Sequence, residues 1–116
     1  MDNLTLAKRT FKSRLILGTG KYSSPEIMKQ SMIASEAEII TVAVRRVDLT
    51  NADDSFLTVI NPSDYIFLPN TSGARNAKEA IRCAQIARAA SQNNFVKLEV
   101  TPEQNHLMPD PVETLI

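Results

Sequence analysis

The stretch Glu38-Ile39-Ile40-Thr41-Val42-Ala43-Val44 constrains this chain more than any other. It is nearly continuous apolar and β-branched sequence. Such a run suits a strand covered on both faces, the environment of a parallel sheet packed under helices. The flanking segments extend the same pattern. Leu15-Ile16-Leu17 is a short apolar run closed by Gly18-Thr19-Gly20. A helix is predicted from Ser23-Ser24-Pro25-Glu26 to about Ser35. Ser23 with Glu26 has the spacing of a capping box, while Ser24 with Pro25 puts proline at the first helical position. Tyr65-Ile66-Phe67-Leu68 reads as a third strand, expected to stop at Pro69-Asn70.

Asn76 through Ser91 is the clearest helix. Asn76 is a good cap with Glu79 three residues on, and Ala77, Ala80, Ile81, Ala84 and Ala87 form one apolar stripe. Small residues there let the helix lie close to a sheet. Phe95-Val96-Lys97-Leu98-Glu99-Val100 has a period of two and reads as a fourth strand. Val96, Leu98 and Val100 take one face, and Phe95, Lys97 and Glu99 the other. Between Asp48 and Asp64 the sequence is polar at both ends, with a short helix expected over Ser55 to Ile60. Met28 to Ile33 is expected to be core.

Alternating strands and helices predict a parallel α/β sheet with right-handed crossovers, one domain over residues 1–116. Four strands suit the first half of an eight-stranded (β/α)8 barrel, which takes roughly 250 residues. They equally suit a small open doubly wound sheet. At the C-terminus Asp110-Pro111-Val112-Glu113 announces a helix that stops at Ile116. A start signal with no body behind it is expected for the front piece of a longer chain.

Thirteen basic residues balance thirteen acidic ones, which argues against a nucleic-acid or anionic membrane partner bound mainly by charge. No apolar run approaches the roughly 20 residues of a spanning helix, and the first residues lack the pattern of a secretory signal. The single Cys83 forms no internal disulfide, which fits a reducing compartment. It lies beside the apolar stripe of its helix and reads as packing. His106, the one histidine, sits in a Pro- and Asn-bearing loop, and no metal cluster can be built around it. No metal and no cofactor are expected.

Lys97 is the candidate for chemistry. Buried charges are costly unless paired or used, so a lysine and a carboxylate on one face of a covered strand are a candidate amine nucleophile and its proton carrier. The same pair would also suit the solvated face of an edge strand. Gly18-Thr19-Gly20-Lys21 is not a phosphate loop, because Leu15, Tyr22 and Ser23 stand where the nucleotide motifs need other residues. Gly18 and Gly20 instead read as a tight strand-to-helix turn that a ligand or another strand approaches closely. Arg45, with Arg46, follows the second strand, and at the C-terminal end of a parallel strand an arginine could meet a phosphate or carboxylate. A solvated strand end accounts for it as well. Asn70 opens the polar turn Asn70-Thr71-Ser72-Gly73 at the same level.

Five segments together carry a resemblance: Arg14-Leu15-Ile16-Leu17-Gly18-Thr19-Gly20-Lys21-Tyr22, Thr41-Val42-Ala43-Val44-Arg45-Arg46-Val47, Leu68-Pro69-Asn70-Thr71-Ser72-Gly73, Val96-Lys97-Leu98-Glu99-Val100 and Leu107-Met108-Pro109-Asp110-Pro111-Val112-Glu113-Thr114-Leu115. In order and spacing the chain resembles the thiazole synthases of thiamine biosynthesis over nearly its whole length. The resemblance implies an eight-stranded α/β barrel of the TIM type. It implies an enzyme that joins 1-deoxy-D-xylulose 5-phosphate, dehydroglycine and sulfur from the thiocarboxylate of a small sulfur-carrier protein. The family's Schiff-base lysine falls on Lys97, and its neighbouring carboxylate on Glu99. Family members continue for another half barrel, which holds the phosphate-binding loops and a further acidic residue of the site. A homo-oligomer is expected at full length, in the cytoplasm, with an organelle stroma compatible.

Three other readings stay open. A class I aldolase or related lyase would use the same amine on the same barrel. A non-catalytic binding module would sit on a small open sheet. An inactive remnant would need a partner to supply the other strands, and its two open sheet edges would make it associate with itself.

Overall fold

The computed structural model of the chain describes residues 2–44 and 58–116. The elements are β1 (Leu4–Leu6), β2 (Arg9–Phe11), β3 (Ile16–Gly18), α1 (Pro25–Ser35), β4 (Ile39–Ala43), a 3-10 turn (Pro62–Asp64), β5 (Ile66–Asn70), α2 (Ala77–Ser91) and α3 (Pro111–Leu115). β3, β4 and β5 form a parallel sheet in sequence order. The alternating parallel α/β pattern is therefore present. Of the helix expected over Ser55 to Ile60, residues 55–57 lie outside the described residues, while Thr58 and Val59 are helical.

Register fixes what each face of the sheet carries. Leu17, Ile40 and Phe67 are in line across the three strands. All three belong to one core with Met28 and Met32 of α1, and with Val42 and Ile60. Residues paired across a sheet share a face and neighbours along a strand alternate. Thr41, Ala43, Leu68 and Asn70 therefore line the face turned away from α1. Of the stretch expected to be core, Met28 and Met32 are buried, but Ile33 is 61% exposed on the outer side of α1. On α2, Ala77, Ala80 and Ala87 are buried as expected, whereas Ile81 is 51% exposed.

The caps follow the sequence closely. Ser24 is the N-cap of α1, accepting from the Ile27 N–H at 3.2 Å, so Pro25 occupies the first helical position. Asn76 caps α2 by accepting from the Glu79 N–H at 2.9 Å, and Glu79 reaches back to the Arg75 N–H. The β1–β2 hairpin had no expectation. Its turn residues Ala7 and Lys8 both take positive φ, 46° and 66°, without the Asn or Gly that usually marks such a turn. The hairpin is tied to the sheet by Glu38, whose carboxylate accepts from the N–H groups of Lys12 and Ser13 at 2.6 and 2.9 Å.

α3 explains how a five-residue helix persists. Asp110 caps it by accepting from the N–H groups of Val112 and Glu113. Glu113 then accepts from the N–H of Ala77, the first residue of α2, at 2.6 Å. A carboxylate at a helix N-terminus satisfies an orphan donor and meets the positive end of the dipole. α3 is thus held by docking on α2 rather than by its own propagation.

Two stability outcomes follow. Met32→Ala is expected to cost about 2–5 kcal/mol in urea unfolding, as cavity formation in a packed core does. Ile33→Ala, one residue away, should stay within about 0.5 kcal/mol. Glu113→Ala is expected to cost about 0.5–2 kcal/mol, the size of a lost helix cap, with most of it recovered in Glu113→Gln.

Candidate functional site

Pro69 shapes the neighbourhood of Lys97. Odd-numbered residues of β5 turn their backbone groups away from β4, since Ile66 donates to Glu38 and Val44 to Asn70. On the free side, the Lys97 N–H donates to the Pro69 carbonyl at 2.8 Å, and the Thr71 N–H donates to the Lys97 carbonyl at 3.2 Å. These two bonds make one parallel bridge between Asn70 and Lys97. The rung before it needs an N–H from residue 69, which proline lacks. The expected strand over Phe95 to Val100 is therefore absent as a regular element and reduced to that bridge. The expected stop at Pro69 is also corrected: β5 runs through it, because its missing donor faces away from β4.

Side chains fill the gaps in the ladder. Asn93 donates from its amide nitrogen to the Phe67 carbonyl at 3.1 Å and accepts from the Phe95 N–H at 2.8 Å. The Thr71 hydroxyl accepts from the Glu99 N–H at 2.8 Å and donates to the Glu99 carbonyl at 2.6 Å. Thr101 then donates to the Ala74 carbonyl. The segment keeps strand-like alternation. Val100 is buried with Ala74 and Ala80, and Lys97 lies on the face of its partner Asn70.

Lys97 Nζ stands 3.2 Å from Glu99 Oε1. The Lys97 side chain is 52% exposed and that of Glu99 29%. The covered strand expected around this pair is thus not found: the face opposite α1 is open around it. On the other face Val96 and Leu98 are 40% and 48% exposed. A groove of about 530 Å³ lies there, lined by Ile81, Ala84, Gln85, Arg88 and Asn93 to Val96. The amine does not open into it.

The remaining candidates divide. Asn70 is brought beside Lys97 by the bridge, and its side-chain oxygen accepts from the Ser72 N–H at 3.2 Å. Gly18 ends β3 opposite Thr41, two rungs short of Asn70 on the same sheet. A Cβ on Gly18 would meet Thr41 Oγ1 at 3.8 Å, an ordinary contact. The left-handed residue of the following turn is Lys21 at φ 67°, so neither Gly18 nor Gly20 is demanded by backbone conformation. Arg45 lies outside the described residues, as does Arg46. His106 sits in an exposed loop with Nδ1 3.2 Å from Glu103 Oε2. Donation from the N–H groups of His106 and then Asn105 holds the Glu103 carboxyl below the usual carboxylate range. Among the described residues no group of His, Cys, Asp or Glu is placed to hold a metal ion. No helix among them is long and apolar enough to cross a membrane.

Thr71 and Asn93 were missed at the level of sequence. In the sequence Thr71 reads only as part of a turn, and Asn93 only as part of the polar stretch Gln92-Asn93-Asn94 that turns the chain toward Lys97. The available signal was Pro69, which marks where a backbone rung must be replaced.

Comparison with known proteins gives a consistent result. The family described as thiazole biosynthesis protein ThiG matches residues 5–116. A thiazole synthase of Syntrophobacter fumaroxidans is 59% identical over 112 residues, which is 97% of this chain and 44% of that protein. Thiazole synthase 2 of Syntrophotalea carbinolica is 52% identical over 115 residues, covering 99% of this chain and 45% of that one. The chain thus spans less than half the length of these curated relatives. Among solved structures, the crystal structure of the Amycolatopsis orientalis BexX/CysO complex superposes with a TM-score of 0.69 at 26% identity, covering 95% of this chain and 45% of that one.

Asn93→Ala is expected to cost about 1–3 kcal/mol, since it removes a partner from both the Phe67 carbonyl and the Phe95 N–H. Amide exchange at Phe95 should quicken by a larger factor than exchange within α2.

Proposed function

The chain belongs to the ThiG family of thiazole biosynthesis proteins, and on that premise we propose that it carries the Schiff-base portion of a thiazole synthase. The observation that carries the reading is the pairing of Lys97 Nζ with Glu99 Oε1 at 3.2 Å, at the carboxyl end of the parallel sheet. In α/β folds that end is where ligands bind.

The chemistry starts at Lys97. Its free amine adds to the ketone of 1-deoxy-D-xylulose 5-phosphate, and loss of water leaves an iminium. The iminium withdraws electrons from the adjacent carbon and makes its hydrogen acidic. Glu99 takes that proton and returns it to the carbon bonded to the Lys97 nitrogen, while the neighbouring hydroxyl gives up its proton and becomes the carbonyl, so that the carbonyl moves along the sugar. Sulfur from a thiocarboxylate on a small carrier protein then attacks that carbonyl carbon, the acyl–sulfur bond breaks and the carrier leaves as a carboxylate with the carbonyl oxygen, and condensation with dehydroglycine closes the ring with loss of water. Gly18, Gly20, Arg45 and Asn70 are proposed to contact the substrate at the strand ends. That the neighbouring fold was solved as a complex of two proteins supports a protein partner for this one. A homo-oligomer and a cytoplasmic setting complete the proposal.

The test is borohydride reduction in the presence of 1-deoxy-D-xylulose 5-phosphate, followed by peptide mass mapping. The reduced sugar should be found on Lys97 and vanish in Lys97→Ala. An adduct that survives that substitution, or none at all on Lys97, rejects the assignment. A class I aldolase would give the same adduct but would not consume the carrier thiocarboxylate.

A further inference from the structure

Thr71 is 1% exposed, and its side chain contacts the backbone of the reactive segment rather than solvent. Its hydroxyl is saturated by one residue: it accepts from the Glu99 N–H and donates to the Glu99 carbonyl. Its own N–H holds the Lys97 carbonyl at 3.2 Å. One residue therefore grips both ends of Lys97-Leu98-Glu99 through three hydrogen bonds. The backbone of β5 cannot do this unaided. Its chain turns at Thr71, where the Thr71 carbonyl is taken by the Ala74 N–H at 3.0 Å, so the next backbone acceptor for Glu99 is already in use. The hydroxyl replaces it.

The consequence falls on side-chain geometry. Lys97 and Glu99 are long side chains, half and one-third exposed, and their ion pair alone fixes little. Their Cα positions are set by the segment's backbone, and Thr71 sets that backbone. Resting on the lysine reading above, we propose that Thr71 is a positioning residue for the reaction: its hydroxyl holds Glu99 at the spacing from Lys97 at which it can carry a proton to and from the iminium carbon's neighbour. A serine supplies the same donor and acceptor. A valine has nearly the same shape, supplies neither, and leaves the Glu99 N–H and carbonyl without partners.

The experiment compares the 116-residue chain with Thr71→Ser and Thr71→Val. Two readouts are taken: amide hydrogen exchange at Glu99 relative to α2, and the rate of borohydride-trapped adduct on Lys97 with 1-deoxy-D-xylulose 5-phosphate. Thr71→Ser should stay within about threefold of the parent in both. Thr71→Val should exchange at Glu99 at least about tenfold faster and trap at least about tenfold more slowly, with exchange in α2 unchanged. The proposal is overturned if Thr71→Val traps at the parent rate, if its Glu99 amide keeps its protection, or if Thr71→Ser falls as far as Thr71→Val. A parent chain that traps nothing rejects the lysine reading. The grip of Thr71 on the segment is then decided by exchange at Glu99 alone.

Discussion

Two hydrogen bonds, from Lys97 to the Pro69 carbonyl and from Thr71 to the Lys97 carbonyl, pair the Lys97–Glu99 segment with the sheet. They set the register of the chain after α2 on β5, and the bonds of Asn93 and of the Thr71 hydroxyl hold it on either side. The direction of the join matters as much as its strength. A parallel bridge at Asn70 puts Lys97 on the face opposite α1 and at the end of the strands, because partners across a sheet share a face. A slip of one residue would turn Lys97 toward the side of the apolar groove and Leu98 toward the open face. Pro69 bears on this by removing a backbone donor next to the bridge. The pairing cannot extend backwards, so the segment is anchored at one point and completed by the side chains of Asn93 and Thr71.

The parallel core was legible because its signals are local. The β-branched run from Ile39, the Ser24-Pro25 start and the Asn76 cap each state their element within a few residues. What escaped depended on partners distant in sequence. The β1–β2 hairpin lacks turn chemistry of its own and is fixed by Glu38, more than 20 residues on. Ile33 and Ile81 fit the apolar pattern of their helices yet face outward, because a periodic stripe gives the width of an apolar face and not which neighbour covers it.

The site shows the same division. Lys97 and Glu99 were legible from period alone, since two residues apart on an extended chain means one face. Asn70 was legible as the strand end, and the structure adds that it is the bridge partner itself. The roles of Thr71 and Asn93 were not legible, because a threonine in a turn and an asparagine in a linker satisfy local chemistry equally well. Gly18 and Gly20 read as a tight turn open to close approach, and the left-handed residue of that turn is Lys21. Their small size is then explained by nothing within the described sheet.

The energetic balance at Lys97 points the same way as its geometry. An ion pair with one member 52% and the other 29% exposed contributes at most about 1 kcal/mol to stability. Losing the ion pair would cost the fold little. The fold nevertheless spends the hydrogen bonds of Thr71, one of its most completely buried polar side chains, on holding this exposed pair in register. A buried hydroxyl needs a partner, but any backbone group would serve that need. That both of its bonds go to Glu99, and its N–H to Lys97, is the feature that stability does not require and that the proposed amine nucleophile beside its proton carrier would use.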